Sequence, residues 1–190
     1  MNTLSDQERE HVAIGAAVGA GCRPCTQYHV KAAVRLGLTH EDIAEDIEEA
    51  ELVRIDAAMS TAAFARGLTV GAAQHESAVC SPASRSRALA QVGAATGANA
   101  GYLLDGLLSR ARGLGLTDEA LSEAVAVAGK VKDMAASFFA RDAERALASG
   151  EVVAPALDTG GCTPAAGPAD EPAAAVSGAA SGQPSRSGCC

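Results

Sequence analysis

The sequence predicts an all-α fold made of two tandem helical repeats, followed by a disordered tail. Apolar residues recur at helical spacing in long segments, and no stretch shows the alternation that is typical of a strand. The segment that begins at Gly15 also aligns without a gap to the segment that begins at Gly93, at an offset of 78 residues. Since only 3% of the residues are aromatic and 48% are hydrophobic, we expect a core of small aliphatic side chains between closely approaching helices.

Local signals define the first two helices of the first repeat. Ser5 and Glu8 form a capping-box pattern, which starts a first helix that ends near Gly19. A second helix is expected over about 22–36, and Gly37 is placed to end it in a left-handed conformation.

A long third helix follows in each repeat. Thr39 is its expected N-cap in the first copy, and Thr117 is the expected N-cap in the second. In the first copy, apolar residues near helical spacing predict the face that packs: Ile43, Ile47, Ala50 and Ile55.

The duplication sets the expected domain boundaries. The Leu-Gly-Leu-Thr turn at 36–39 recurs at 114–117, so we expect repeat 1 over residues 1–80 and repeat 2 over residues 81–150. Residues 151–190 are rich in Pro, Ala, Gly and Ser and are expected to be disordered. This tail contains Cys162, Cys189 and Cys190, which would relay electrons by thiol exchange, bind a soft metal, or have no function.

Composition and charge exclude several classes of protein. The net charge of −8 and the lack of any Lys/Arg cluster argue against nucleic acid binding. The polar start MNTLSDQERE is unlike a secretory signal, and the apolar run 13–20 is too short to span a membrane. We therefore expect a cytoplasmic protein without a membrane partner. The acidic run 41–51 is interpreted as a solvated helix face.

Six cysteines in a chain without an export signal point to metal binding or redox chemistry. At ~100° per residue, Cys22, Cys25 and His29 share one helical face. Cys22 is expected in the first helical turn, where the helix dipole favours a thiolate, and His29 is placed to accept a thiol proton. Glu10 is the candidate carboxylate that orients the imidazole, whereas its neighbour His11 is expected at the surface.

The pattern of these residues resembles a known active-site signature. Glu10, eleven intervening residues, then Cys22-x-x-Cys25-x-x-x-His29 and the Gly-Leu-Thr at 37–39 are similar to the alkylhydroperoxidase D (AhpD-like) branch of the carboxymuconolactone decarboxylase family. The resemblance implies an all-helical fold, a dithiol that reduces peroxide or disulfide, and a proton relay through glutamate, histidine and cysteine.

The resemblance also implies an oligomeric state and a reductant, and the chain departs from the family pattern at one position. Single-repeat relatives form rings of six repeats, so a chain with two repeats should be a homotrimer. An external dithiol or thiol protein would act as reductant, and no metal or organic cofactor is needed. Peroxidases of this type carry a second histidine just before the later cysteine, where this chain has Pro24.

The second repeat lacks every proposed reactive group. At the offset of 78, the four positions are occupied by inert residues: Ala88, Ala100, Leu103 and Leu107. This joint loss is expected if the four residues act together in one copy while the other copy serves as scaffold.

We hypothesise that Cys25 attacks the oxidant because His29 lies one turn away, and that Cys22 resolves the product as a disulfide. The dipole argument would instead make Cys22 the attacking thiol, so the order stays open. Three other interpretations remain: a structural zinc site on Cys22, Cys25, His29 and Glu10; a lyase acting on a lactone acid, which needs no dithiol; and a metal- or metalloid-binding protein that uses the tail cysteines. Cys80, in the connection between the repeats, is interpreted as a passive thiol.

Overall fold

A computed structural model describes residues 3–70, 77 and 79–149. The all-α prediction is confirmed, since six helices and no strand occur in these ranges. The expected tail at 151–190 lies outside the described residues. The helices run as follows: α1 Asp6–Gly19, α2 Arg23–Arg35, α3 His40–Val70, α4 Arg85–Gly97, α5 Gly101–Gly113 and α6 Asp118–Ser149.

The helix ends form where the local sequence predicts them. The Ser5 hydroxyl accepts a hydrogen bond from the Glu8 backbone N–H at 3.2 Å, and the Glu8 carboxylate accepts one from the Ser5 N–H at 2.9 Å. Gly37 has φ +88° after α2, which is the left-handed conformation that favours glycine. The Thr39 and Thr117 hydroxyls accept hydrogen bonds from backbone N–H groups in the first turns of α3 and α6.

Helices α1 and α4 are in backbone contact at the centre of the molecule. A Cβ atom on Gly15 would overlap the carbonyl oxygen of Ala90, and a Cβ on Gly93 would overlap that of Val12. At the offset of 78, Gly93 corresponds to Gly15 and Ala90 to Val12, so the two contacts are related by an approximate twofold arrangement. The glycines are needed because no side chain fits between helices this close.

Two ion pairs between the repeats follow the same arrangement. Arg9 of α1 donates to Glu123 of α6 at 2.8 Å, and Arg87 of α4 lies 3.9 Å from Glu45 of α3. The Thr3 backbone N–H, followed by the Arg9 guanidinium, lowers the pKa of Glu123 to about 2. Thus an arginine from the first helix of each repeat forms an ion pair with the third helix of the other repeat.

The predicted packing face of α3 is correct except at its last residue. Ile43 and Ala50 are buried and Ile47 is partly buried, but Ile55 is 53% exposed. Five residues of helix place Ile55 about 140° from Ala50. Val53, which is fully buried, continues the stripe instead.

The prediction that the acidic run of α3 is wholly solvated is wrong. Asp46 and Glu49 are 1% and 4% exposed. Glu49 accepts hydrogen bonds from Arg87 and from Gln91, each at 2.6 Å. Glu49 is buried because α4 of the second repeat supplies its partners, whereas the partner of Asp46 is His11 of α1. A sequence window on α3 contains neither α4 nor α1.

None of the helices in the part of the chain that the structure describes is long and apolar enough to cross a membrane.

Candidate active site

Cys22 and Cys25 are joined by a disulfide, with their Cα atoms 5.3 Å apart. Cys22 is the N-cap of α2 and has extended backbone angles, so it lies just outside the first turn in which it was expected. The Cys25 backbone N–H donates to the Cys22 sulfur at 3.2 Å. The Cys22 sulfur therefore lies at the positive end of the α2 helix dipole.

His29 and Glu10 form a hydrogen-bonded pair beside the disulfide. The distance from His29 Nδ1 to Glu10 Oε2 is 2.9 Å, and the two side chains are 14% and 17% exposed. Because the ionised carboxylate only accepts, Nδ1 carries the proton and Nε2 is left as the base. His29 follows Cys25 by one helical turn, so the two side chains leave α2 on the same face.

Tyr28 contacts the histidine at its outer side. The two rings meet edge to face with centroids 5.1 Å apart, and Tyr28 is 62% exposed. This placement makes Tyr28 a wall between the imidazole and solvent.

At the corresponding place in the second repeat, the structure holds only apolar side chains. Three of them are at most 2% exposed and the fourth packs partly buried against the core: Ala88, Ala100, Leu107 and Leu103. The proton-handling groups therefore occur on one side of the approximate twofold arrangement, and the other side is packed as ordinary core.

A second pair of a histidine and a carboxylate begins at the residue after Glu10, and the sequence analysis did not identify it. His11 is buried rather than at the surface, and its Nδ1 lies 2.6 Å from Asp46 Oδ2. The expectation of an exposed His11 is wrong because α3 covers that side of α1. Burial raises the pKa of the Asp46 carboxyl, although the hydrogen bond and charge of His11 lower it.

A comparison of the two repeats at the offset of 78 could have revealed the His11–Asp46 pair from the sequence. His11 corresponds to Leu89 and Asp46 to Ala124, both of them buried in the second repeat. A polar pair in one copy thus replaces an apolar pair in the other.

A cavity of about 610 Å³ opens beside the disulfide. Cys22 is among the residues that line it, together with side chains from the start of α2 and from α6. Cys25 is 2% exposed and is not among the lining residues, so the two sulfurs differ in access.

Within residues 3–70, 77 and 79–149, no group of three or more His, Cys, Asp or Glu side chains is arranged to hold a metal ion. The arrangement of Cys22, Cys25, His29 and Glu10 is instead suited to closing and opening a disulfide with a base at hand.

The sequence profile described as "Carboxymuconolactone decarboxylase family" matches residues 2–67. The matched segment contains the disulfide, His29 and Glu10. No curated protein and no solved structure matches the chain significantly.

Proposed function

We propose that this chain, whose residues 2–67 belong to the carboxymuconolactone decarboxylase family, is an AhpD-like thiol enzyme that reduces a peroxide or a disulfide. The observation that carries the proposal is the Cys22–Cys25 disulfide beside the His29–Glu10 pair. A helix-terminal disulfide with a partly buried base is an arrangement suited to thiol redox cycling.

In the oxidative half of the cycle, the reduced Cys25 gives its proton to His29 Nε2, and the thiolate attacks the peroxide. The O–O bond breaks, Cys25 becomes a sulfenic acid, and His29 returns the proton to the leaving oxygen. Cys22 then attacks the Cys25 sulfur, water leaves, and the disulfide closes. With a disulfide as oxidant, a mixed disulfide on Cys25 takes the place of the sulfenic acid.

In the reductive half, an external dithiol or thiol protein attacks the disulfide. Cys22 is the sulfur that lines the cavity, so it receives the incoming thiolate. Cys25 leaves and takes a proton from His29. No metal or organic cofactor takes part in either half.

The two cysteines should give different products when replaced singly. We expect Cys22→Ser to trap a sulfenic acid on Cys25 after one equivalent of peroxide, because no resolving thiol remains. We expect Cys25→Ser to react far more slowly, because Cys22 lies at the helix cap and not beside the base. Peptide mapping by mass spectrometry after a sulfenic-acid reagent locates the adduct.

Cys80→Ser is the matched control for this pair, since it makes the same chemical change outside the Cys22–Cys25 motif. A trapped species in Cys25→Ser but not in Cys22→Ser would reverse the order of attack. Redox cycling at the wild-type rate in both variants would show that the assigned site is wrong.

The proposed assembly is a homotrimer, and the exposed apolar side chains on the long helices support it. Five of them are 48–73% exposed among the described residues: Ile55, Met59, Phe64, Leu68 and Met134. Burial of such residues against a second chain is what an obligate interface provides.

We expect sedimentation at micromolar concentration to give three times the mass of one chain. Met59→Glu should dissociate the assembly because it places a charge in the apolar interface. Met59→Leu changes the same side chain without adding a charge and should leave the trimer intact. A monomeric wild-type protein would contradict the proposal.

A further inference from the structure

The cavity beside Cys22 is built by both repeats. The turn before α2 and the start of α2 form one side, and the turn before α5 and the middle of α6 form the other. The residues that matter for its chemistry are Cys22, Arg23, Pro24, Lys132 and Phe138. A volume of about 610 Å³ is in the range of small-molecule sites.

Two cationic side chains of this cavity have no polar partner in the part of the chain that the structure describes. The Arg23 guanidinium and the Lys132 ammonium form no hydrogen bond or ion pair with any described residue, whereas the Asp142 carboxylate in the same cavity is paired with Arg145 at 3.0 Å. The residue that corresponds to Lys132 in the first repeat is Arg54, which donates to the Val18 carbonyl at 3.0 Å. In a chain of net charge −8, two unengaged cations beside a disulfide indicate an anionic ligand.

Pro24 keeps this cavity open. The corresponding residue in the second repeat is Tyr102, whose hydroxyl donates to the Ala57 carbonyl at 3.0 Å and so bridges to the opposite helix. Ala57 corresponds to Ala135, which lines the cavity on α6. Proline is too short for the same bridge, and the space next to Cys22 is left for a ligand.

Resting on the proposed function, we propose that this cavity binds the reducing substrate and that the substrate is a small thiol carrying a carboxylate or similar anionic group. Its anion lies between Arg23 and Lys132, and its thiolate attacks the Cys22 sulfur. The Cys22–Cys25 bond breaks, a mixed disulfide forms on Cys22, and Cys25 receives the electron pair and a proton from His29. A second molecule of the thiol attacks the mixed disulfide, leaves as the symmetrical disulfide, and frees Cys22.

The test compares two thiols of similar size and different charge. The oxidised full-length protein is reduced with 3-mercaptopropionate or with 2-mercaptoethanol, and the rate constants are expressed per thiolate so that the ionised fraction of each thiol does not enter. The ratio of the two rate constants is then compared between variants, which cancels the intrinsic nucleophilicity of each thiolate. We expect wild type to prefer the anionic thiol. Lys132→Met and Arg23→Met should each lower that preference about three- to thirtyfold, and 0.5 M salt should lower it as well.

Two further variants separate charge from space. Lys130→Met removes the same charge from the same helix at a residue that lines a different groove, and it should keep the wild-type preference. Pro24→Tyr should slow reduction of the disulfide by both thiols, because the tyrosine would fill the cavity with the same bridge that Tyr102 forms in the second repeat.

The possible failures are distinguishable. If wild type shows no preference, or if Lys132→Met and Lys130→Met change it equally, the anionic substrate is ruled out while the proposed function stands. If neither thiol reduces the Cys22–Cys25 disulfide but dithiothreitol does, the small-thiol substrate is ruled out and the proposed function stands. If dithiothreitol also fails to reduce it, the proposed function itself fails.

Discussion

His29→Ala is expected to slow the reaction of the reduced protein with peroxide by a factor on the order of 10² to 10⁴, the usual contribution of a positioned acid–base group. His29 is the base one turn from Cys25, and its other nitrogen is held by Glu10 at 2.9 Å. Without the imidazole, the Cys25 thiol loses the base to which the proposed mechanism transfers its proton. The pH at which the rate reaches half its maximum should rise, because thiolate formation then depends on the thiol alone.

Glu10→Gln should change the rate in the same direction by a smaller factor. The glutamine amide still fills the space, but it no longer requires the proton on Nδ1, so part of the population has Nε2 protonated and inactive as a base. Stopped-flow rates across a pH series measure both effects on single-turnover oxidation.

The matched control is His40→Ala, the same substitution at an exposed histidine at the start of α3. It should react like wild type. A His29→Ala protein that keeps the wild-type rate and pH profile would remove histidine from the mechanism, even if the cysteines still cycle.

Much of the fold was predictable because the helix ends are set by short-range signals. Ser5 and Glu8 satisfy each other within one turn, and Gly37 supplies a backbone conformation that other residues rarely adopt. The scarcity of aromatic residues also predicted close helix packing. None of these signals depends on what the rest of the chain does.

The pairing of His29 with Glu10 was predicted from the resemblance, and the structure brings these two side chains together. The burial of His11 and Asp46 was not predicted, because it depends on which faces of α1 and α3 meet. Likewise, Lys132 lies 110 positions after Cys22 in the chain. Its place in the same cavity follows from the packing of α6 on α2, which no local pattern contains.

The buried pair gives the prediction with the largest expected effect on stability. His11→Leu or Asp46→Ala alone should lower the free energy of unfolding by about 3–5 kcal/mol, because each leaves a polar partner buried and unpaired. Asp46 Oδ1 already has no hydrogen-bond partner in the described part of the chain, so the carboxylate depends on His11. Urea unfolding at one fixed protein concentration measures the change while the contribution of assembly is kept the same for all variants.

The penalty of His11→Leu should also depend on pH in a definite direction. Burial raises the pKa of Asp46 in the folded state, whereas the hydrogen bond and charge of His11 lower it, so removing His11 raises this pKa further. Relative to wild type, the loss should therefore be smallest below about pH 4, where an aspartate of the unfolded chain is also protonated, and should grow as the pH rises towards 7. A loss that grows as the pH falls would contradict a buried, proton-binding Asp46.

The double variant His11→Leu with Asp46→Ala is the decisive control, because it recreates the apolar combination that the second repeat holds at Leu89 and Ala124. Removing both partners eliminates the buried polar groups together, so stability should return to the wild-type value or exceed it by about 1–4 kcal/mol. The strong non-additivity of the two single changes is the signature of a directly coupled pair. If the double variant loses the sum of the two single penalties, the residues contribute through separate contacts, and the interpretation of His11 and Asp46 as one unit is wrong.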